Sequence, residues 1–253
     1  MQLFLLWSLL EDFDFPVNNR NCLLKKKNGI RPKTYFGFGK VKKLIMNKPG
    51  IAVDIDETLS QTLPYWFGEM QRLFGNPENM GIAEMIKKYR YFQNVPYWKS
   101  EEIYKKAHEF MDSNELQTKL PTMPGSVEGL NLINNIIPVV AYITNRPIIV
   151  RSGTKTWLEA KGFPMAEIIH RPDEVDILDG NKWKGAKLAE LYPDVVGIIE
   201  DNAAILKFLP EGYQGTIYLF DNKELPFEAW PGIAKYRLCP TWEDVVAAIK
   251  KDF

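Results

Sequence analysis

The chain has 253 residues, of which 45% are hydrophobic and 13% aromatic, which is enough for one large α/β domain or for a core with an insert. Its 32 Lys and Arg residues balance its 32 Asp and Glu residues, so the net charge gives no reason to expect a nucleic-acid or membrane partner. Cys22 and Cys239 lack the close spacing of a zinc site or a disulfide framework. We therefore expect a reducing, cytoplasmic location.

Residues 1–47 differ in composition from the rest of the chain. The apolar run from Leu3 to Leu10 is too short to span a bilayer and lacks the basic region of a signal peptide. From residue 20 to residue 48 the chain is rich in Lys and Arg and holds no acid. We predict a basic N-terminal extension over 1–47, and we favour a solvated arm over a phosphate-attracting one.

The apolar run Ile51 to Val53 ends abruptly in acid, at Asp54 and Asp56. This pattern predicts a buried parallel strand whose carboxyl end carries two carboxylates, where open α/β sheets bind ligands. Alternate residues of an extended chain point the same way, so we expect these two side chains to share a side and to need a cation. Oxygen ligands favour Mg²⁺. The alternative is an acidic turn that caps a helix starting near Thr58.

Helical periodicity follows over residues 63–74, 82–92 and 101–112. Roughly sixty residues then separate the first strand from the next, which is too many for an ordinary crossover. We predict a helical insert over residues 61–120.

Two further strands also end in polar residues. Pro138 to Ile143 is apolar and is followed by Thr144 and Asn145, and Val195 to Ile199 is followed by Glu200 and Asp201. A strand-end hydroxyl beside backbone N–H groups can hold a phosphoryl oxygen, although a turn residue that satisfies its own backbone is the alternative. Arg146 is a weaker candidate for phosphate binding, since a turn arginine is more often exposed to solvent.

Further elements complete an α/β pattern. Helices are predicted near residues 126–137, 154–160, 182–191 and 242–249, and strands near 168–169, 216–220 and 236–238. The helix that begins near Lys182 carries Lys184 four residues before Leu188 on its apolar face.

The segment Asp54-Ile55-Asp56-Glu57-Thr58-Leu59 resembles the Asp-x-Asp-x-Thr signature of the haloacid dehalogenase superfamily, and the later motifs of that family are matched in order. The resemblance implies a Rossmann-like three-layer parallel core over 48–60 and 121–253, with residues 61–120 as a small helical cap. It also implies that Asp54 is the nucleophile and that Asp56 is the general acid/base.

By the same resemblance Thr144 holds the phosphoryl group, with Asn145 nearby. Lys184 neutralises charge at the nucleophile, with Lys182 and Lys187 as rivals. The Mg²⁺ ligands are Asp54, Asp201 and the backbone carbonyl of Asp56. Glu200 stands where many members carry Asp, and it is assigned an orienting role.

The predicted function is Mg²⁺-dependent hydrolysis of a small phosphomonoester through an aspartyl-phosphate. The position and size of the insert, together with the segments Met123-Pro124-Gly125-Ser126-Val127-Glu128 and Trp242-Glu243-Asp244, loosely resemble the 5'(3')-deoxyribonucleotidase-like subgroup. The many aromatic residues of the insert favour a nucleoside monophosphate as substrate. Trp66 and Phe67 are the aromatic residues predicted to reach the pocket and stack on a base. An acid-phosphatase-like or sugar-phosphate specificity is the runner-up, ahead of a non-catalytic binding protein, and a homodimer is left open. A dehalogenase would need neither Asp56 nor the metal site.

Overall fold

The protein is represented by a computed structural model that describes residues 48–226 and 234–253. The predicted basic extension at 1–47, including Cys22, lies outside the described residues. Within them, no helix is long and apolar enough to cross a membrane.

Parallel strands form one six-stranded sheet in the order β3-β2-β1-β4-β5-β6. The strands are Gly50–Val53 (β1), Val139–Pro147 (β2), Glu167–Arg171 (β3), Val195–Glu200 (β4), Thr216–Phe220 (β5) and Lys235–Cys239 (β6). Every neighbouring pair runs parallel. The predicted fold class, an α/β core around a parallel sheet, is confirmed.

The α-helices are Thr62–Phe74 (α1), Ile82–Tyr89 (α2), Glu101–Asp112 (α3), Asn114–Thr118 (α4), Ser126–Asn134 (α5), Arg151–Lys161 (α6), Gly180–Leu191 (α7) and Trp242–Asp252 (α8). Helix α3 has the predicted bounds. Helix α2 ends three residues earlier than residue 92, because Arg90 adopts a φ of 63° that stops the helix. Helix α4 was not predicted from the sequence.

Apolar side chains on the two faces of the sheet build two separate clusters, which gives the core its three layers. Ile51 and Val53 of β1 pack with residues of α5, α6 and α8, whereas Ala52 packs with residues of α7. Alternate residues of a strand point to opposite faces, so β1 is buried on both sides and contains only apolar residues and glycine.

Helices α1 to α4 occupy the segment between β1 and β2. A third cluster of buried residues lies within this segment, and it includes Phe67, Met85 and Trp98. Helix α4 lies against α6, where the Asn114 side chain accepts a hydrogen bond from the Gly153 N–H at 2.6 Å. The boundaries of the predicted cap, residues 61–120, stay a prediction.

The sheet order decides which polar residues meet. Strand β1 pairs with β2 on one side and with β4 on the other. The carboxyl ends of parallel strands meet at one edge, so Asp54, Thr144 and Glu200 emerge at neighbouring positions.

Candidate active site

A cluster of three carboxylates lies at this edge of the sheet. Asp54, Glu200 and Asp201 each bring a carboxylate oxygen within 4.8 Å of the others. Asp54 is 4% exposed and Glu200 is 1% exposed. Carboxylates this close and this buried repel one another unless a cation lies between them.

Lys184 on α7 supplies one positive charge to the cluster. Its Nζ donates hydrogen bonds to Asp54 Oδ1 and to Glu200 Oε2, both at 2.7 Å, and the residue is 1% exposed. The two rival lysines of the same helix lie elsewhere, since Lys182 is exposed and Lys187 pairs with Glu190. Lys184 is therefore the lysine of α7 that contacts Asp54.

The electrostatics of the cluster leave room for a further cation. Burial and the neighbouring charge of Glu200 raise the pKa of Asp54 to about 8, although Lys184 acts in the opposite direction. Burial and the charges of Glu200 and Asp54 raise the pKa of Asp201 well above its ordinary value. Burial alone would lower the pKa of Lys184, but the charges of Asp54 and Glu200 outweigh it and raise that pKa. With all three carboxylates ionised, the cluster and the Lys184 ammonium would carry a net charge of about −2, which suits a divalent cation with oxygen ligands.

Asp56 has a different set of partners from Asp54. Its Oδ1 accepts hydrogen bonds from Thr62 Oγ1 at 2.6 Å and from Arg146 Nη2 at 2.8 Å. Burial raises the pKa of Asp56, but the charge and hydrogen bonds of Arg146 outweigh burial, so the net shift is downward. The carboxylate of Asp54 thus pairs with Lys184, whereas the carboxylate of Asp56 pairs with Arg146. The carboxylate of Asp56 does not belong to the three-carboxylate cluster. The predicted metal ligand of Asp56 is its backbone carbonyl oxygen.

The end of β2 carries the two residues predicted to bind phosphate. Thr144 is fully buried, and its Oγ1 accepts a hydrogen bond from the Arg146 N–H at 3.2 Å and lies 3.5 Å from Asp56 Oδ2. Asn145 packs against the start of α7, where a Cβ on Gly180 would lie 2.6 Å from Asn145 Oδ1. Among the described residues, that Oδ1 is buried without a hydrogen-bond partner. The phosphate-binding role of both residues stays a prediction.

Arg146 is buried, in contrast to the prediction. The expectation of a solvent-facing turn arginine is wrong, because β2 continues through Pro147 and buries Arg146 to 5% exposure. The usable signal was the spacing of two between Thr144 and Arg146. If the strand is extended past Thr144, both side chains point to the same side.

Glu57 connects the loop after β1 to the first helix of the insert. It adopts a left-handed φ of 59°, and its Oε1 accepts a hydrogen bond from the Leu63 N–H at 2.6 Å. Burial raises the pKa of Glu57 to about 7. Next to it, Thr58 Oγ1 donates to Asp201 Oδ1 at 3.4 Å. Glu57 and Thr58 occupy the fourth and fifth positions of the Asp-x-Asp-x-Thr pattern, so this loop contacts both α1 and the acidic cluster.

No family model matches the chain, and no curated protein does. Solved structures of the superfamily named by the motifs do resemble it. A HAD-superfamily hydrolase from Geobacter sulfurreducens is 14% identical, with 80% of this chain and 96% of that chain covered and a TM-score of 0.49. A class C acid phosphatase from Bacillus anthracis with bound tungstate is 22% identical, with 62% of this chain covered and a TM-score of 0.39.

A cytosolic 5'-nucleotidase IIIB bound to cytidine is 16% identical, with 81% of this chain and 86% of that chain covered and a TM-score of 0.37. The chain spans about half of the acid phosphatase, 53% of its length. These likenesses are too distant to assign an activity to this protein.

Proposed function

We propose that the protein is a Mg²⁺-dependent phosphomonoester hydrolase that works through an aspartyl-phosphate. The observation that carries the proposal is the buried Asp54 carboxylate, held 2.7 Å from Lys184 Nζ beside Glu200 and Asp201. An ionised carboxylate at the end of a strand, with an ammonium group next to it, is suited to attack an electrophilic phosphorus. The neighbouring acids have the hard oxygen donors that Mg²⁺ prefers.

In the first step an Asp54 oxygen forms a bond to phosphorus, and the bond from phosphorus to the leaving alkoxide breaks. Asp56 enters this step protonated, gives its proton to that alkoxide, and is left as the carboxylate that Arg146 stabilises. In the second step Asp56 takes a proton from water while the water oxygen attacks phosphorus, and the Asp54–phosphorus bond breaks to release inorganic phosphate. Asp54, Asp201 and the backbone carbonyl of Asp56 would hold Mg²⁺, which supplies the positive charge that an anionic phosphate needs.

Lys184 and Glu200 have supporting roles in this proposal. Lys184 stabilises the ionised form of Asp54, which is the form that can attack. Glu200 accepts hydrogen bonds from Lys184 Nζ and from the Asn202 N–H at 3.1 Å, so it holds the ammonium in place. Thr144 and Asn145 would contact the transferred phosphoryl group at the end of β2.

The test is a panel of phosphomonoesters assayed with Mg²⁺ and with excess chelator. We expect turnover only with Mg²⁺, and none above background for Asp54→Asn, because an amide is not a nucleophile at phosphorus. Asp173→Asn is the matched control, since Asp173 is an exposed acid on the loop after β3. Full activity in chelator would contradict the metal dependence. Mg²⁺-dependent binding of a phosphate analogue without turnover would leave a non-catalytic binding protein.

For the substrate we propose a nucleoside monophosphate, recognised through an aromatic side chain of the insert. Phe67 is not that residue, because it is fully buried against Trp98, with 5.8 Å between ring centroids. The prediction that Phe67 reaches the pocket is wrong. Trp66 is partly buried and packs against both the core cluster of α5, α6 and α8 and the cluster of the insert. Its position between the two clusters makes it the better candidate for contacting a base.

The test compares kcat/KM for matched nucleotides and sugar phosphates in the wild type and in Trp66→Ala. Stacking of one base contributes on the order of 1–3 kcal/mol, so we expect roughly a tenfold preference for nucleotides, lost in the variant. Tyr91→Ala is the control, because Tyr91 is an exposed ring of the same insert. Equal values for the two substrate classes would discard the nucleotide and favour another small phosphomonoester, such as a sugar phosphate.

A further inference from the structure

The guanidinium of Arg146 holds the carboxylate of Asp56 from the side. Its Nε lies 3.1 Å from both carboxylate oxygens, and its Nη2 lies 2.8 Å from Oδ1. Two parallel N–H groups on one carboxylate fix its orientation as well as its charge, and a lysine cannot reproduce that geometry.

Other contacts anchor the guanidinium itself. Nη2 also donates to Ser60 Oγ at 3.1 Å, and Nη1 donates to Thr154 Oγ1 at 3.3 Å. The ring of Trp157 covers the guanidinium, with its centroid 5.8 Å from Cζ. The N–H of Nε and both N–H groups of Nη2 therefore have protein partners, and the remaining N–H of Nη1 belongs to a side chain that is 5% exposed, which leaves a phosphate oxygen little access to Arg146.

Burial distinguishes the two members of the pair. The Arg146 side chain is 5% exposed, whereas the Asp56 side chain is 31% exposed. The arginine therefore lies behind the carboxylate, and the carboxylate is the part that solvent or substrate can reach. Thr62, the first residue of α1, donates to the same Oδ1 from another direction at 2.6 Å.

We propose that Arg146 is a positioning residue that fixes the carboxylate of Asp56 and does not bind the substrate phosphate. The inference rests on the proposed function, in which Asp56 transfers protons. Proton transfer requires the carboxylate within hydrogen-bond reach of the reacting oxygen, and a misplacement of about 1 Å can cost roughly a hundredfold in rate. The anchors Ser60 and Thr154 belong to the loop after β1 and to α6, so these elements, together with Thr62 of α1, set the position of Asp56.

The test is a double-mutant cycle on kcat and KM with Arg146→Lys, Asp56→Asn and the double variant. The substrate is an aryl phosphate with a good leaving group, so that the Asp56 variants keep a measurable rate. We expect Arg146→Lys to lower kcat by roughly ten- to hundredfold and to change KM by less than about twofold. In the Asp56→Asn background the same substitution should change kcat by less than about twofold, because residues that act as one unit are not additive.

A direct role in phosphate binding gives the opposite pattern, and it would overturn the inference. Arg146→Lys would then raise KM by a similar factor in both backgrounds. Arg237→Lys is the matched control, because Arg237 pairs with Asp252 at the β6 edge of the sheet, and it should leave both constants unchanged.

Thr154→Val provides a second route if Arg146→Lys folds poorly. It removes one anchor of the guanidinium and keeps the shape of the side chain, so kcat should fall a few-fold in the wild type and hardly at all in Asp56→Asn. Equal losses in both backgrounds would overturn the inference, even if wild-type turnover and its reduction in Asp56→Asn uphold the proposed function. A wild-type protein without turnover on any phosphomonoester would refute the proposed function and the inference together.

Discussion

Replacing the nucleophile should make the metal-free protein more stable. In the absence of a divalent cation, burial and the charge of Glu200 raise the pKa of Asp54 from 3.8 to about 8. The folded state then binds a proton that the unfolded state has released at neutral pH. By proton linkage, this carboxyl contributes less and less stability as the pH rises from about 4 to about 8. Asp54→Asn removes the titrating group and keeps the shape of the side chain.

The magnitude follows from the size of the pKa shift. One pKa unit corresponds to about 1.36 kcal/mol, so keeping Asp54 protonated costs at most about 5 kcal/mol at pH 7.5 and about 2 kcal/mol at pH 5.5. Lys184 keeps Glu200 as a charged partner in the variant, but the buried amide brings N–H groups that need acceptors, which offsets part of the gain. We expect a net gain of about 2–3 kcal/mol at pH 7.5 and about 1 kcal/mol at pH 5.5. For a chain of this size, the larger figure corresponds to roughly 5–10 °C in Tm.

Thermal unfolding in excess chelator at the two pH values measures this effect, with Asp173→Asn as the control. Adding Mg²⁺ should raise the Tm of the wild type more at pH 7.5 than at pH 5.5, since the ligands must lose their protons to bind it. The variant should respond much less. A variant that is less stable than the wild type in chelator at pH 7.5 would show that the Asp54–Lys184 pair outweighs the repulsion among the carboxylates. A gain of equal size at both pH values would also refute the linkage.

Three further outcomes can be checked independently. Asp201→Ala should weaken Mg²⁺ at least tenfold in a titration of activity, because it removes one oxygen ligand; an unchanged midpoint would remove Asp201 from the site. At a pH of about 4.5, where the raised pKa of Glu57 carries little cost, Glu57→Ala should lower the free energy of unfolding in urea by about 1 kcal/mol, because the Leu63 N–H at the start of α1 loses its acceptor; a neutral result would mean that water replaces the carboxyl group. Gly153→Ala should cost about 2–3 kcal/mol because its Cβ would lie 2.2 Å from the Asn114 carbonyl oxygen, whereas Gly212→Ala, with open space and a φ of 79°, should cost about 1 kcal/mol; equal losses would argue against the close approach.

The positions of the strands and of the acids that follow them could be predicted from the sequence. The acid at Asp54 or Glu200 marks where the apolar run ends, because a strand buried on both faces cannot accept an unpaired charge. Helix α3 has its predicted bounds, and Ser100 caps its start by accepting a hydrogen bond from the Ile103 N–H, whereas α2 ends early because Arg90 leaves the helical region. Strand ends and helix ends of this kind depend on residues that are close in the sequence, so the sequence alone can indicate them.

Pairing across the sheet needed the tertiary structure. Lys182, Lys184 and Lys187 share one short helix, and only the packing of α7 against the sheet turns Lys184 towards Asp54. Arginine is usually a surface residue, and the burial of Arg146 depends on Ser60 and Asp56, which lie 86 and 90 positions away in the chain.

The aromatic residues of the insert show the same limit. Phe67 and Trp66 are adjacent in the sequence, and no local pattern separates the ring inside the cluster of the insert from the ring that also contacts the core. The sequence by itself determined where charge would emerge from the sheet, because burial and polarity alternate within a few residues. Only the tertiary structure decided which cation each carboxylate meets, because Coulomb interactions and hydrogen bonds depend on distances that chain separation does not encode.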